Sequence, residues 1–321
     1  MLNLSPKYII ATPGYNGESG GIMSLHQLCH LLNEISEAYV FPMPRGTVVN
    51  HLNLANIDYI IQQEKSFAQN FRISPDLNTP VFKGEISLDR SVVIYPEIVF
   101  GNPFKFKNIA RWILYHSGFH RKAICTSFGE VEFKFHQNYS SSVIQNFSEL
   151  SDITLFILIP KKTEYEALKN NVNCKPEEIL TSKTETAFCV RKGKFRPHPL
   201  ITDQSICIDG KKTQEIREIM KQVKYFISFD PYTYYSTMAS VYGCYSLIIA
   251  PDDQSETEIL EWNKRSEEEP WLAFYENQLE NSWRNRRKLL EYFDNSLQQS
   301  RNNVKKFHNF WTNRINSNIK K

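Results

Sequence analysis

Short apolar runs alternate with helix-like stretches along most of the chain, and this alternation restricts the folds that the chain can adopt. Residues 8–12 and 91–95 have the length and composition of buried strands, whereas residues 23–35 carry leucines at helical spacing. Strands that alternate with helices pack as parallel sheets covered by helices. The sequence therefore predicts an α/β protein.

The alternation continues through the second half of the chain. Further strands are predicted at residues 38–41, 154–159, 187–190, 206–208, 225–228 and 247–250, and further helices at 108–114, 213–221, 233–242 and 270–321. A length of 321 residues is enough for two ordinary domains. We expect a first Rossmann-like domain over residues 1–175, a second over 176–268, and a helical region over 269–321 that packs back on the first domain.

Charge and cysteine content narrow the class of protein. The net charge of +3 gives no overall sign of nucleic-acid binding. The six cysteines form no C-x-x-C pair and no metal-ligand spacing, which is typical of reduced thiols in a cytoplasmic protein. No stretch reaches the roughly 18 apolar residues of a membrane span. We therefore expect a cytoplasmic protein without a metal site.

Charge is nevertheless segregated along the chain. Residues 252–280 contain ten acidic and two basic residues, and residues 284–321 contain ten basic and two acidic residues. Such runs are usual on solvated helix faces. The alternative is that the basic segment contacts an anionic membrane surface or a phosphorylated acceptor, which would place the protein at the inner face of the cytoplasmic membrane.

Two predicted turns at the ends of strands are suited to an anion. Gly20 and Gly21 close a glycine-rich loop before the first helix, where backbone N–H groups can approach phosphate. The turn with Arg191, Lys192 and Lys194 places three cations just past a strand end, where phosphate oxygens are natural partners. The alternatives are an ordinary tight turn and a solvated basic turn.

The segment 226–244 is the most informative one. A predicted strand ends at Asp230, and Thr233 is a plausible N-cap of the next helix. The hydroxyls of Thr233 and Ser236 would then lie near the helix N-terminus, as in a diphosphate-binding turn. The alternative is an ordinary βαβ turn with a threonine cap.

This segment, with Gly243-Cys244 and the strand at 247–250, resembles the donor-binding unit of GT-B glycosyltransferases from bacterial surface-polysaccharide pathways, which build lipopolysaccharide and capsule. Segments 20–33, 96–118 and 190–194 resemble the same group. The matches cover both halves of the chain in the expected order. The resemblance implies two Rossmann-like domains that face a cleft, followed by C-terminal helices.

The resemblance also implies roles for individual residues. A nucleotide-sugar donor would bind the C-terminal half, with its diphosphate held by Arg191, Lys192 and Lys194. Further donor contacts would come from Asp230, Tyr232, Thr233 and Ser236, and from Gly20 and Gly21 of the other domain. The acceptor side would present Glu97, Asn102 and His116. Of these residues, His116, Asp230 and Glu97 are the expected catalytic ones.

One departure from the family concerns two glutamates that many retaining members carry eight positions apart. Alignment through Gly243-Cys244 places Asp230 at the first position and Met238 at the second. The first carboxylate is kept in a shorter side chain, and the carboxylate that would contact the ribose is lost. Donor identity therefore does not follow from the family.

The histidines differ in how well their positions suit a metal ligand or a general base. His26 and His30 lie four residues apart without a third ligand at suitable spacing, so we interpret them as surface or packing residues rather than metal ligands. His116 follows a predicted helix and could be a general base near neutral pH, or a hydrogen-bonded structural residue. The pair Asp252-Asp253 does not form a D-x-D metal motif.

The sequence thus leads to the hypothesis of a metal-independent glycosyltransferase that moves a sugar from a nucleotide-sugar donor to a hydroxyl of a growing glycan or a lipid-linked glycan. No cofactor is expected beyond the nucleotide-sugar substrate. Two alternatives remain: a degenerate GT-B protein that binds glycan or a partner protein, and a sugar-nucleotide epimerase.

Overall fold

The structure of the protein is a computed structural model that describes residues 5–43, 71–83, 89–119, 126–251 and 254–319. The chain forms two compact units. The first unit consists of Met1–Ile159 and Leu297–Lys321, and the second consists of Pro160–Ser296.

The first unit contains a parallel sheet of six strands in the order β2-β1-β3-β4-β5-β6. The elements are β1 (Lys7–Thr12), α1 (Gly20–Leu32), β2 (Glu37–Pro42), β3 (Ser91–Pro96), β4 (Asn108–Ile113), β5 (Val131–Lys134) and β6 (Glu149–Thr154). β3 and β4 are buried along their whole length. Burial on both faces is characteristic of parallel strands covered by helices.

The second unit contains a parallel sheet of four strands in the order β10-β9-β7-β8. Its elements are α2 (Lys162–Asn171), α3 (Pro176–Leu180), β7 (Glu185–Cys189), β8 (Ile206–Cys207), α4 (Thr213–Gln222), β9 (Val223–Ser228), α5 (Tyr234–Val241), β10 (Tyr245–Ile248), α6 (Glu256–Glu268), a 3-10 turn (Glu276–Gln278) and α7 (Leu279–Arg284). The buried side chains of α4 and α5 pack on one face of this sheet.

A long final helix, α8 (Arg286–Ile319), has residues in both units. Leu289 and Phe293 belong to a core cluster of the second unit. Phe307 and Trp311 belong to the main core of the first unit, where the Phe307 ring centroid lies 4.8 Å from that of Phe133 on β5. Apolar side chains that recur every three or four residues hold the helix against each core.

The predicted fold class is confirmed: two Rossmann-like α/β units with parallel sheets precede C-terminal helices. The prediction of a helix at 108–114 is wrong, because these residues form β4. A short apolar run buried on both sides lacks the alternation that separates a strand from a helix. The predicted strand at 154–159 is displaced, since β6 ends at Thr154.

None of the helices within the described residues is both long enough and apolar enough to cross a membrane.

Candidate functional site

Each sheet has a switch point, at which successive strands of the chain pair on opposite sides of one central strand. In the first unit β1 lies between β2 and β3 in the sheet, and in the second unit β7 lies between β8 and β9. Ligands of open α/β sheets bind outside the carboxyl ends of the strands at such switch points. The turns after β1, β3, β7 and β9 therefore define the candidate sites, one in each unit.

In the second unit the turns after β7 and β9 are in direct contact. A Cβ atom placed on Gly193 would lie 1.8 Å from the carbonyl oxygen of Phe229 and 3.1 Å from the backbone nitrogen of Asp230. Real Cβ atoms do not approach backbone this closely, so only glycine allows the contact. The structure thus brings the predicted basic turn against the predicted Asp230 turn.

A carboxylate holds the backbone at the start of the basic turn. Asp209, which follows β8, accepts hydrogen bonds from the backbone N–H groups of Val190 (2.9 Å) and Arg191 (3.0 Å). Arg191 adopts a left-handed backbone conformation with φ of 44°, which is uncommon outside glycine. Its guanidinium carbon lies 4.9 Å from the ring centroid of Tyr235 on α5. Arg191 is therefore oriented toward the start of that helix.

The side chains of the basic turn remain at the surface. Arg191, Lys192 and Lys194 are all exposed, although the backbone between them is fixed by the Gly193 contact. Cations on a rigid turn at a sheet's carboxyl edge suit a diphosphate, because Arg binds phosphate in a bidentate way and Lys adds point charge.

Asp230 shapes the turn after β9. Its side chain is 3% exposed, and Oδ1 accepts a hydrogen bond from the backbone N–H of Tyr232 at 3.1 Å. Its carbonyl oxygen accepts from the Ser228 hydroxyl at 2.7 Å. One carboxylate oxygen of Asp230 thus stabilises the turn itself.

Thr233 is the N-cap of α5, as the sequence predicts. Its hydroxyl accepts a hydrogen bond from the backbone N–H of Tyr235 at 3.4 Å. The N-terminus of α5 follows directly on the turn that Gly193 contacts, so its partial positive charge adds to that of the basic turn.

Two predicted donor contacts lie deeper in the second unit. Tyr232 is half-buried, with the Arg265 guanidinium carbon 5.0 Å from its ring centroid, and burial raises the pKa of its phenol. Ser236 is completely buried, and its Oγ has no hydrogen-bond partner among the described residues. The structure therefore does not bring the Ser236 hydroxyl to the surface of the basic turn.

Met238 lies in the core of the second unit. Its side chain is 1% exposed and belongs to a cluster with Ala187 of β7 and Met220 of α4. A carboxylate at this position would lose its hydration without an evident partner, at a cost of several kcal/mol. Met238 is thus a packing residue.

In the first unit Gly20 and Gly21 form the first turn of α1. Among the described residues, a Cβ atom on Gly20 would meet no heavy atom within 4 Å, and one on Gly21 would meet only the Leu114 side chain, at 3.6 Å. Internal packing therefore does not require glycine at either position, in contrast to Gly193.

The turn after β3 carries two predicted acceptor-side residues. Glu97 is buried, and its Oε2 accepts from the backbone N–H of Leu114 at 3.0 Å. The amide of Asn102 accepts from the Tyr95 hydroxyl (3.2 Å) and from the backbone N–H of Phe106 (3.1 Å), and donates to the Phe106 carbonyl (2.7 Å). Both side chains fix the conformation of the turn.

Arg111 holds the same turn from β4. Its guanidinium donates to the carbonyl oxygens of Pro96 (3.4 Å), Val99 (2.5 Å) and Gly101 (2.8 Å) and forms a buried ion pair with Glu130 at 2.7 Å. Arg111 is not among the functional residues predicted from sequence, although it lies in segment 96–118, which resembles the glycosyltransferase group. The available signal is an arginine inside an apolar strand run, which indicates a buried partner.

His116 follows β4 and is half-buried. Its Nδ1 accepts the backbone N–H of Ser140 at 3.2 Å, and its ring contacts those of Tyr115 and Tyr139. A backbone N–H can only donate, so a neutral His116 carries its proton on Nε2. In this arrangement Nε2 already carries a proton and cannot remove one, which favours the structural alternative over a general base.

His26 and His30, which we interpret from sequence as surface or packing residues, both contact backbone groups of loops. His26 is buried and donates from Nε2 to the carbonyl of Pro13 at 3.1 Å, and burial lowers the pKa of its imidazole. His30 accepts the backbone N–H of Asn78 at 2.9 Å. Among the residues whose placement is described, no three His, Cys, Asp or Glu are grouped as a metal site. Asp252 and Asp253 lie outside the described residues.

Comparison with known proteins adds little to this geometry. No family model and no curated protein matches the chain. Among solved structures, the chain is similar to a mutant of the O-GlcNAc transferase from Thermobaculum terrenum, with 8% sequence identity and a TM-score of 0.48, over 98% of this chain and 69% of that chain. Similarity at this level assigns neither a family nor an activity, so any functional conclusion depends on the two switch points.

Proposed function

We propose that the protein is a glycosyltransferase that moves a sugar from a nucleotide-sugar donor to a hydroxyl of a growing surface glycan. The observation that carries the proposal is the contact of Gly193 with Phe229, which fixes three exposed cations beside the N-terminus of α5. This arrangement is suited to a diphosphate bound at the switch point of the second unit.

The chemistry depends on where charge develops. The hydroxyl oxygen of the acceptor forms a bond to the anomeric carbon of the sugar, and the bond from that carbon to the diphosphate oxygen breaks. The acceptor proton passes to the departing diphosphate, which serves as the base. The bonding electron pair leaves with the diphosphate. Arg191, Lys192 and Lys194 together with the helix N-terminus stabilise this negative charge, so the reaction has a cation source within the chain and no metal is invoked.

The remaining residues receive narrower roles. Asp230 is proposed to orient sugar hydroxyls through the carboxylate oxygen that does not accept from Tyr232. Gly20 and Gly21 leave space for a phosphate-bearing ligand to approach the backbone of α1. Glu97 and Asn102 hold the acceptor-side turn, and His116 is proposed to donate from Nε2 to an acceptor oxygen.

The test is release of free nucleoside diphosphate from a panel of nucleotide sugars, with and without a lipid-linked glycan acceptor. Arg191→Ala plus Lys194→Ala is expected to lower release about ten-fold or more, because charged hydrogen bonds to phosphate are lost. The matched control is Lys221→Ala plus Lys264→Ala, which removes two exposed cations of α4 and α6 and is expected to leave release unchanged.

The outcomes separate the candidate functions. No release from any donor, together with no effect of the double variant on donor binding, contradicts the transferase. Donor or glycan binding without release would favour a binding module, and interconversion of the nucleotide sugar without an acceptor would favour an epimerase.

We also propose that α8 brings the protein to an anionic membrane surface on the cytoplasmic side. Not all of its basic residues are available for this: Arg286 is buried, and Arg301 and Arg314 form ion pairs with Glu34 and Glu149. The exposed cations Arg287, Lys288, Lys305 and Lys306 form the proposed contact surface.

A further inference from the structure

An exposed aromatic side chain follows the basic turn directly. Phe195 comes next to Lys194 and is 48% exposed. Its ring centroid lies 5.4 Å from that of Phe229 and 5.7 Å from that of Phe188 on β7. Phe229 is also the residue whose carbonyl oxygen Gly193 contacts, so both turns of the switch point fix the position of Phe195.

The rings of Phe188 and Phe229 hold Phe195 in place, and the adjacent basic turn supplies the charge. Phe229 is almost completely buried, and the two underlying rings limit the rotation of the Phe195 ring. Leaving half of such a large apolar side chain in water forgoes much of its burial free energy. A flat apolar surface next to exposed cations fits a ligand that is anionic at one end and planar at the other.

Exposure of a phenylalanine alone does not distinguish this position. Phe128 in the first unit is 73% exposed and contacts the ring of Phe147 at 5.7 Å. However, residues 125–131 around it contain no Lys or Arg. Phe128 therefore provides an aromatic control without a basic turn.

We propose that Phe195 is the platform on which the base of a nucleoside diphosphate stacks while the diphosphate binds the basic turn. The inference depends on the proposed function and names the part of the donor that this residue recognises. Stacking accepts the π-face of any base, so Phe195 supplies affinity rather than the choice of base.

The experiment measures dissociation constants of the full-length protein by calorimetry. The ligands are uridine, guanosine, adenosine and cytidine diphosphates, with inorganic pyrophosphate as the probe that lacks a base. Phe195→Leu keeps an apolar side chain against Phe188 and Phe229 but removes the ring, and Phe195→Tyr keeps the ring. Phe128→Leu is the matched control.

Phe195→Leu is expected to weaken binding of the preferred nucleoside diphosphate about ten-fold, whereas pyrophosphate binding stays unchanged. Phe195→Tyr and Phe128→Leu are expected to bind as the unaltered protein does. Equal weakening of pyrophosphate and nucleoside diphosphate would overturn the inference, because Phe195 would then only support the turn.

Two further outcomes are distinct from each other. If the unaltered protein binds a nucleoside diphosphate and Phe195→Leu binds it equally well, the stacking role is wrong and the proposed function stands. If the unaltered protein binds none of the four nucleoside diphosphates, the proposed function and the stacking role both fail.

Discussion

The two switch points share a topology but use their side chains differently. In the second unit the turns are fixed by a backbone contact at Gly193, and the cations around it remain exposed. In the first unit the turn after β3 is fixed by the side chains of Glu97, Asn102 and Arg111. In the second unit the cations of the turn are exposed and do not hold the turn itself, so this unit is the better candidate for binding the proposed donor.

The largest expected effect concerns the ion pair of the first unit. Arg111→Met leaves the Glu130 carboxylate buried without its cation, and it removes the donor that Arg111 supplies to the carbonyl oxygens of Val99 and Gly101. We expect this to cost about 3–5 kcal/mol of the free energy of unfolding. Urea unfolding measures this loss.

Arg111→Met combined with Glu130→Gln is the matched control. The glutamine oxygen keeps an acceptor for the backbone N–H of Ser127, and the uncompensated charge is removed. We expect the double variant to be more stable than the single one. A double variant as unstable as Arg111→Met would show that the carbonyl contacts, rather than the charge, hold the turn.

The second prediction concerns the glycine contact of the second unit. Gly193→Ala forces the two turns apart, because the new Cβ would meet the Phe229 carbonyl, and we expect a loss of about 3 kcal/mol in the free energy of unfolding. Binding of nucleoside diphosphate should fall with it.

Gly20→Ala is the comparison, since its Cβ meets no heavy atom within 4 Å in the part of the chain that the structure describes. We expect its stability to be unchanged or slightly raised. If Gly20→Ala binds the donor more weakly at unchanged stability, a ligand approaches the backbone there. If Gly193→Ala is as stable as the unaltered protein, the contact does not fix the second site.

The third prediction gives the first switch point a pH dependence. Burial lowers the pKa of His26, so the folded state favours the neutral imidazole, whose Nε2 holds the Pro13 carbonyl. Below pH 6.5, the ordinary pKa of histidine, the unfolded state takes up the proton more readily than the folded state does. The contribution of His26 to stability is therefore present above that pH and is lost as the pH falls.

The measurement compares the free energy of unfolding at about pH 7.5 and about pH 5.5. His26→Gln removes the titrating group and keeps a donor for Pro13, so its stability should depend less on pH. His308, whose pKa burial also lowers, contributes with the same sign in both proteins. An equal pH dependence of the two proteins would contradict the role of His26.

The smallest expected effect concerns the exposed cations of α8 in the first unit. Lys305→Glu plus Lys306→Glu should weaken binding to phosphatidylserine-containing vesicles, by about 1 kcal/mol per lost cation and less at high salt. Deletion of residues 301–321 is not a clean test, since it removes Phe307 and Trp311 from the core.

The matched control is Lys83→Glu plus Arg90→Glu, two exposed cations of the first unit outside α8. Equal loss of vesicle binding in both double variants would show a general charge effect. Unchanged binding in the α8 variant would contradict the membrane contact.

Features that depend on near neighbours in the chain can be predicted from sequence. The Thr233 cap is such a feature, since its hydrogen bond reaches only two residues ahead. The burial of Arg111 depends on Glu130, 19 residues away, so the local pattern does not show this pairing. The helix predicted at 108–114 is wrong for a local reason, since every residue of this strand is buried and no alternation marks it. The local pattern also gives no sign of β5, which carries the buried Glu132; one oxygen of its carboxylate accepts hydrogen bonds from Ser142 in a later loop.

The candidate site likewise has some features that local residue types predict and others that depend on residues remote in sequence. The turns after β7 and β9 can be named from their residue types, but their contact through Gly193 cannot, since it joins residues that are remote in sequence. The burial of Ser236 and Met238 depends on how α5 faces the sheet. Phe195 cannot be singled out from sequence, because an aromatic residue after a basic turn is not distinctive without its contacts to Phe188 and Phe229.

The course of α8 has a consequence for the order in which the chain matures during synthesis. Tyr8 on the first strand contacts the rings of Phe307 and His308, and its hydroxyl lies 3.0 Å from Nδ1 of His308. These partners emerge from the ribosome only after the whole second unit has been made. The unit that is begun first is therefore completed later than the second unit, and its sheet lacks the cover that α8 provides while the second unit is being made.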